Sequence, residues 1–274
     1  MLELSFVKLS PTQNTTVLVR SPVPRERHAE VAAKLLGHLG IGGEQVGFIE
    51  EPSSPRACAR LQMMGGEFCG NATMSLGALM AEEGGLPEGM CESFLFEVSG
   101  CDGEVGCTVV RRKDRYEGIV DMPLPCTITD CGLDADGHSI KATMVSFDGI
   151  THLIVPSGQM TLEDVGQHIR AWNTSISADA LGVILADEAA NAIWPTVFVP
   201  ASDTVVRERG CGSGTLAYGC CMAHRQGAGG TWSVRQPGGT IEVTVGLRDG
   251  AITSAQIRGD VRILARGTAY VETD

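Results

Sequence analysis

The chain has 274 residues, 43% of them hydrophobic, enough for one large domain or two of moderate size, each with its own core. A formal net charge of −12 and the lack of any basic block exclude a nucleic-acid-binding surface, and no run of about 20 apolar residues is present to span a membrane. Thirty-five glycines and only 5% aromatics favour strands and tight turns over a helical bundle.

The N-terminal segment has no basic stretch followed by a long apolar one, so a cytoplasmic protein with reduced thiols is expected. In chain order, the first half predicts strands at Leu4–Leu9, Thr16–Arg20, Val46–Glu50, Ala57–Met63, Ser93–Ser99, Glu104–Arg111 and Glu117–Asp121. Between the second and third of these, Val31, Ala32, Leu35, Leu36 and Leu39 recur at helical spacing, which predicts a surface helix over Pro24–Leu39. Gly70–Glu83 is small or apolar on nearly every side until Glu82, which predicts a helix buried all round. Met122-Pro123-Leu124-Pro125 reads as a connector.

The second half repeats the pattern. Strands are predicted at Thr143–Phe147, His152–Val155, Gly182–Ala186, Thr196–Val199 and Thr204–Glu208, then at Thr231–Arg235, Thr240–Leu247 and Ile252–Arg258, and the last segment, Val261–Val271, is expected to return to the first half. A surface helix covers Thr161–Trp172, with Thr161 as N-cap and Asp164 at the third helical position. Gly212–Arg225 is a second helix that is apolar nearly all round. The domains expected are therefore residues 1–122, completed by about 264–274, and residues 123–263.

The two all-apolar helices begin with nearly the same words, half a chain length apart. One is Cys69-Gly70-Asn71-Ala72-Thr73, running on through Gly77, Met80 and Ala81; the other is Cys211-Gly212-Ser213-Gly214-Thr215, running on through Gly219, Met222 and Ala223. A repeat kept for packing alone has no need of cysteine at both helix starts. The first turn of a helix leaves amide N–H groups without helical acceptors, and its dipole favours negative charge. A thiol placed there is expected to ionise below its usual value of about 8.5, and the same amides accept a carboxylate. Two such thiols, one acting as base and the other as acid, suit inversion of a carbon centre. The eight remaining cysteines, Cys58, Cys91, Cys101, Cys107, Cys126, Cys131, Cys220 and Cys221, read as small packing residues. There is no Cys-x-x-Cys pair and the six histidines are scattered, so no metal site is expected.

Cys69-Gly70-Asn71 and Glu208-Arg209-Gly210-Cys211-Gly212-Ser213-Gly214 resemble the signatures of diaminopimelate epimerase, within the superfamily that also holds proline racemase and the PhzF-like isomerases. Phe6-Val7-Lys8, then Asn14 before Val17-Leu18-Val19, and Pro237-Gly238-Gly239 extend the resemblance over most of the chain. The resemblance implies an α/β (α+β) fold of two pseudo-symmetric domains, each a mostly antiparallel sheet wrapped around a central buried helix, with the active site in the cleft between them. It implies an amino-acid racemase or epimerase that uses no cofactor and no metal. Cys69 and Cys211 would be the acid/base thiols. Asn14, Gly70, Asn71, Gly212 and Ser213 would hold the substrate's carboxylate and amino group, with Glu208 and Arg209 beside them. A small-molecule amino acid is the expected partner, and a homodimer is left open.

Four departures bear on the substrate. Cys211 follows Gly210 directly, a shorter spacing than in diaminopimelate epimerase. Met63-Met64-Gly65-Gly66, Gly149-Ile150-Thr151-His152 and the region of Val183 and Ile184 stand where that enzyme has asparagines for the second head of its substrate. Apolar residues cannot replace that grip. A single-headed amino acid is therefore expected, with histidine as one candidate. Diaminopimelate epimerase proper, a proline or hydroxyproline epimerase, a PhzF- or methylaconitate-type isomerase and a non-catalytic amino-acid-binding protein remain the alternatives. His152 reads as a packed or hydrogen-bonded core histidine.

Overall fold

A computed structural model describes residues 1–272. The chain forms two compact units, one made of residues 1–121 with the segment from Arg258 onward, the other of Met122–Ile257.

The first unit runs β1 (Leu2–Pro11), β2 (Thr16–Val19), α1 (His28–Leu36), β3 (Gln45–Glu50), β4 (Ala59–Met63), α2 (Gly70–Glu83), β5 (Cys91–Val98), β6 (Glu104–Arg111) and β7 (Tyr116–Asp121). These strands pair in sequence order, and β1 and β7 both pair with β16 (Ala251–Val271), which closes the sheet around α2. The pairs β2/β3 and β4/β5 are parallel, so α1 and α2 are their crossover helices. α2 is buried from Gly70 through Leu79, because strands from β1 round to β7 enclose it. Gly77 is the point of closest approach: a Cβ there would lie 2.6 Å from Cys107 Sγ on β6.

α1 lies outside. Val31, Ala32 and Leu35 pack on Val17, Val19, Val46 and Phe48, with Val31 and Leu35 each contributing about 1.5–3 kcal/mol by leaving water. The helix is shorter than its apolar spacing predicts. A 3-10 turn occupies Arg25–Arg27, and the α-helix stops at Gly37. The amides of Ile41 and Gly42 then bond back to Leu35 O, which turns the chain and leaves Leu39 97% exposed.

The second unit runs β8 (Thr127–Ala135), β9 (His138–Phe147), β10 (Ile150–Pro156), α3 (Leu162–Ile176), β11 (Leu181–Asp187), β12 (Ala192–Val199), β13 (Thr204–Arg207), α4 (Gly212–Gln226), β14 (Gly230–Gln236) and β15 (Gly239–Arg248), and takes in the first part of β16. Its order is β8-β9-β10-β11-β12-β14-β15-β16, with β13 paired to β12. Again two pairs are parallel, β10/β11 and β12/β14, and again a helix crosses over each. α4 is buried from Gly214 through Cys221, and a Cβ on Gly219 would lie 2.8 Å from both methyl carbons of Val243. Gly77 and Gly219 hold the same place in the repeat, and each lets its helix sit down on a strand. α3 packs outside, started by a full capping box between Thr161 and Asp164.

Two expectations change here. Ile252–Arg258 and Val261–Val271 are one unbroken strand, because Gly259 stays out of the left-handed region and the backbone remains extended. The return to the first unit accordingly falls at Arg258 and not near 264. β8 has no counterpart among the predicted strands. Its sequence, TITDCGLDA, is polar enough to read as loop, yet it pairs with β9 along its whole length across an Asp136-Gly137 turn, both residues at positive φ. Among the cysteines expected to pack, Cys107, Cys220 and Cys221 are buried, but Cys58, Cys91 and Cys126 are exposed and Cys101 and Cys131 half-buried. Those five sit on strand edges and loops that nothing covers fully.

Candidate active site

In the first unit the predicted residues gather at the N-terminus of α2. Cys69 is the N-cap, in extended conformation (φ −138°, ψ 106°), and its sulfur folds back to accept the amide of Ala72 at 3.4 Å. The amide of Thr73 already bonds to Cys69 O. The amides of Gly70 and Asn71 lie between, with no intrahelical acceptor ahead of them. The thiol donates to Gln45 Oε1 at 3.1 Å. Gln45 Nε2 donates to Asn14 Oδ1 (2.7 Å) and Thr16 Oγ1 (2.8 Å), and Asn14 Nδ2 donates to Glu44 Oε2 (2.7 Å). The Glu44 carboxylate accepts only, so it fixes the Asn14 amide, which fixes the Gln45 amide, which turns its oxygen to the sulfur. The chain of bonds thus calls for a protonated Cys69 thiol.

In the second unit Cys211 caps α4 in the same way (φ −109°, ψ 107°), accepting the amide of Gly214 at 3.3 Å. The amides of Gly212 and Ser213 correspond to those of Gly70 and Asn71. Ser213 Oγ lies 3.6 Å from the sulfur. The backbone is held by Gln236, whose Oε1 accepts Cys211 N–H at 2.7 Å. Glu208 reaches the thiol with its carboxylate, and its own amide bonds to Pro195 O. Arg209 is exposed; its guanidinium donates to Pro237 O at 3.3 Å, and its carbonyl accepts Gly238 N–H. The Pro237-Gly238-Gly239 turn therefore braces the segment leading into Cys211.

A lowered thiol pKa at both helix starts is the sequence expectation, and at Cys211 the direction is reversed. Burial pushes this thiol well above its usual range, the Glu208 carboxylate adds to the rise, and Ser213 and the Gly214 amide offset it only in part. A helix dipole is worth at most about 2 kcal/mol, whereas full burial shifts a group by about 3–5 pKa units. Cys211 is 2% exposed, so burial wins.

His152 lies wholly inside the second unit, its ring against Gly182 and edge-on to Phe147. It is packed, as expected, but neither ring nitrogen has a hydrogen-bond partner, and burial pushes its pKa down to about 3. Gln45 and Gln236 are the two residues that the sequence reading missed. Each stands at one end of a strand, where an amide reads as surface. Among the described residues no group of three or more His, Cys, Asp or Glu side chains is placed to hold a metal ion, and no helix is long and apolar enough to cross a membrane.

A family model described as the N-terminal domain of the histidine racemase CntK matches residues 3–270. A histidine racemase of Staphylococcus aureus is 32% identical over 98% of both chains. One of Fusobacterium nucleatum is 26% identical over 98% of this chain and 97% of its own. Two solved structures share the fold. A PhzF-family protein of Bacillus anthracis superposes with a TM-score of 0.73 at 16% identity, covering 99% of this chain and 100% of that one. A hydroxyproline epimerase of Agrobacterium vitis superposes at 0.71 with 14% identity, covering 97% and 92%.

Proposed function

This chain belongs to the histidine racemase family, and we propose that it interconverts L- and D-histidine by passing the α-proton between Cys69 and Cys211 without a cofactor. The observation that carries the proposal is the twofold occurrence of one device: a cysteine capping the central helix, its sulfur bonded to the third amide of that helix, at 3.4 Å in one unit and 3.3 Å in the other.

The amides of Gly70 and Asn71 and those of Gly212 and Ser213 would take the substrate carboxylate, with Asn14, Glu208 and Arg209 contacting the carboxylate and amino group. As the α-proton leaves, negative charge spreads into that carboxylate, and the amides stabilise it where it develops. One sulfur, as thiolate, removes the proton; the other, as thiol, returns one to the opposite face. For inversion the two sulfurs must meet opposite faces of one α-carbon. At rest Cys211 keeps its proton, held by burial and by Glu208. The thiol bond to Gln45 gives Cys69 the same resting form. One of them must therefore ionise before turnover, and the other must not. General acid–base groups are worth about 10²–10⁴-fold each. A reducing, cytoplasmic setting is part of this reading, and sedimentation velocity will show whether the chain forms a homodimer.

The test is incubation with L-histidine in deuterium oxide, followed by chiral chromatography and mass spectrometry. The product is expected to be D-histidine carrying α-deuterium, and both Cys69→Ala and Cys211→Ala should abolish inversion. Substantial turnover in both single variants would refute the assignment of the two thiols.

A further inference from the structure

In the second unit a closed ring of hydrogen bonds surrounds the Cys211 backbone. Cys211 N–H donates to Gln236 Oε1 (2.7 Å), Gln236 Nε2 donates to Thr215 Oγ1 (2.6 Å), and Thr215 Oγ1 donates to Cys211 O (2.6 Å). All three residues are buried, so the bonds are shielded from competing water. Only one arrangement of the Gln236 amide satisfies the ring, since Cys211 N–H can only donate. The ring grips the peptide groups on both sides of the Cys211 Cα. That fixes the extended cap conformation from which the sulfur reaches the Gly214 amide. The first unit shares the bond from Thr73 Oγ1 to Cys69 O, but there a glutamine holds the sulfur itself, through Gln45. The glutamine thus acts differently in the two units, on the Cys211 backbone in one and on the Cys69 sulfur in the other.

We infer that Gln236 is a positioning residue for Cys211: through the ring with Thr215 it sets the direction in which the thiol meets the substrate's α-carbon. The inference rests on the two-thiol reading above. It also explains which amides serve the substrate. Gln236 takes the Cys211 N–H and the sulfur takes the Gly214 N–H, so Gly212 and Ser213 remain for a carboxylate.

Gln236→Leu keeps most of the volume and removes both polar corners. Its kcat is expected to fall about 10- to 100-fold, since a misplacement near 1 Å costs on the order of 100-fold. KM should stay within about threefold, because the Thr215 hydroxyl and amide still bond Cys211 O and so hold the peptide group that carries the Gly212 amide. Thr215→Val breaks the ring at its opposite corner and should give the same kcat-selective loss. In the double variant the two losses should not multiply, because residues of one network are not additive. Gln236→Glu keeps an oxygen facing Cys211 N–H and should recover part of kcat. Thermal melts will show which variants fold; if Gln236→Leu does not, Gln236→Glu and Thr215→Val are read in its place.

A folded Gln236→Leu or Thr215→Val variant with kcat within twofold of wild type, or losses that multiply in the double variant, would overturn the inference. If wild type exchanges no α-proton, the two-thiol reading fails and this inference falls with it. If wild type racemises, Cys211→Ala is dead and the ring variants run at full speed, only this inference fails.

Discussion

His152 makes the stability of the second unit depend on pH in a calculable way. Its imidazole is wholly buried between β9, β10 and β11, with no partner for either nitrogen, and burial pushes its pKa down to about 3. In the unfolded chain it titrates near 6.5. A group with a depressed folded pKa contributes stability that is fully present above the unfolded value and is lost as pH falls toward the folded one, here from about 6.5 to about 3. At pH 5 the unfolded chain has gained nearly a whole proton that the folded chain refuses. At about 1.4 kcal/mol per pH unit over about 1.5 units, the loss between pH 7.5 and 5 is about 2 kcal/mol. Any folded value below about 4 gives the same figure. His152→Phe keeps a flat ring beside Gly182 and removes the titration. Urea unfolding followed by tryptophan fluorescence at several pH values should therefore show wild type losing about 2 kcal/mol more than the variant on going to pH 5. Equal pH slopes for the two proteins would show that His152 binds its proton in both states, and the reasoning would fail.

Four further outcomes are expected. Glu208→Gln removes a charge that raises the Cys211 thiol pKa, so the alkaline limb of the kcat/KM profile, where the thiol donor ionises, should move to lower pH; an unmoved limb would separate Glu208 from that thiol. Gln45→Leu removes the acceptor of the Cys69 S–H bond and should slow turnover about 5- to 150-fold, since a hydrogen bond lost away from water is worth about 1–3 kcal/mol; steady-state kinetics in both directions will check it. Gly77→Ala drives a Cβ to 2.6 Å from Cys107 Sγ and should destabilise by about 1–3 kcal/mol despite alanine's better helix propensity, with much of the loss restored by adding Cys107→Ala, as read by thermal melts. If the two sulfurs flank one substrate, mild oxidation should join Cys69 to Cys211 and stop turnover until reductant is added; peptide mapping by mass spectrometry that never finds the bridge in inactivated protein would count against their close approach.

Much of the fold was legible because periodicity reports what covers a segment. β6 and α2 fall where their apolar patterns end, and Thr161-x-x-Asp164 marks the start of α3 without help from packing. Legibility failed where tertiary contacts overrode the local pattern. The spacing that includes Leu39 continues a helix that Gly37 has already ended. β8 is an end strand of its sheet and carries two aspartates, so half of its pattern is that of a loop. At the site, Cys69 and Cys211 stood out because their whole context is repeated. Gln45 and Gln236 did not, because their roles depend on strands that lie far from each cysteine in sequence. The ionisation of Cys211 was misjudged for a related reason: a helix start can be read from residues, but the degree of burial beneath it cannot.

The unbroken β16 also bears on how the polypeptide comes to be folded. β1 and one of its neighbours in the sheet, β16, lie far apart in the chain, paired from Leu2 with Val271 to Pro11 with Val261. Until β16 has emerged from the ribosome, the first unit cannot complete its layer, and β1 presents an unpaired backbone edge. The contact that seals it spans nearly the entire sequence, the slowest kind to form by chain diffusion.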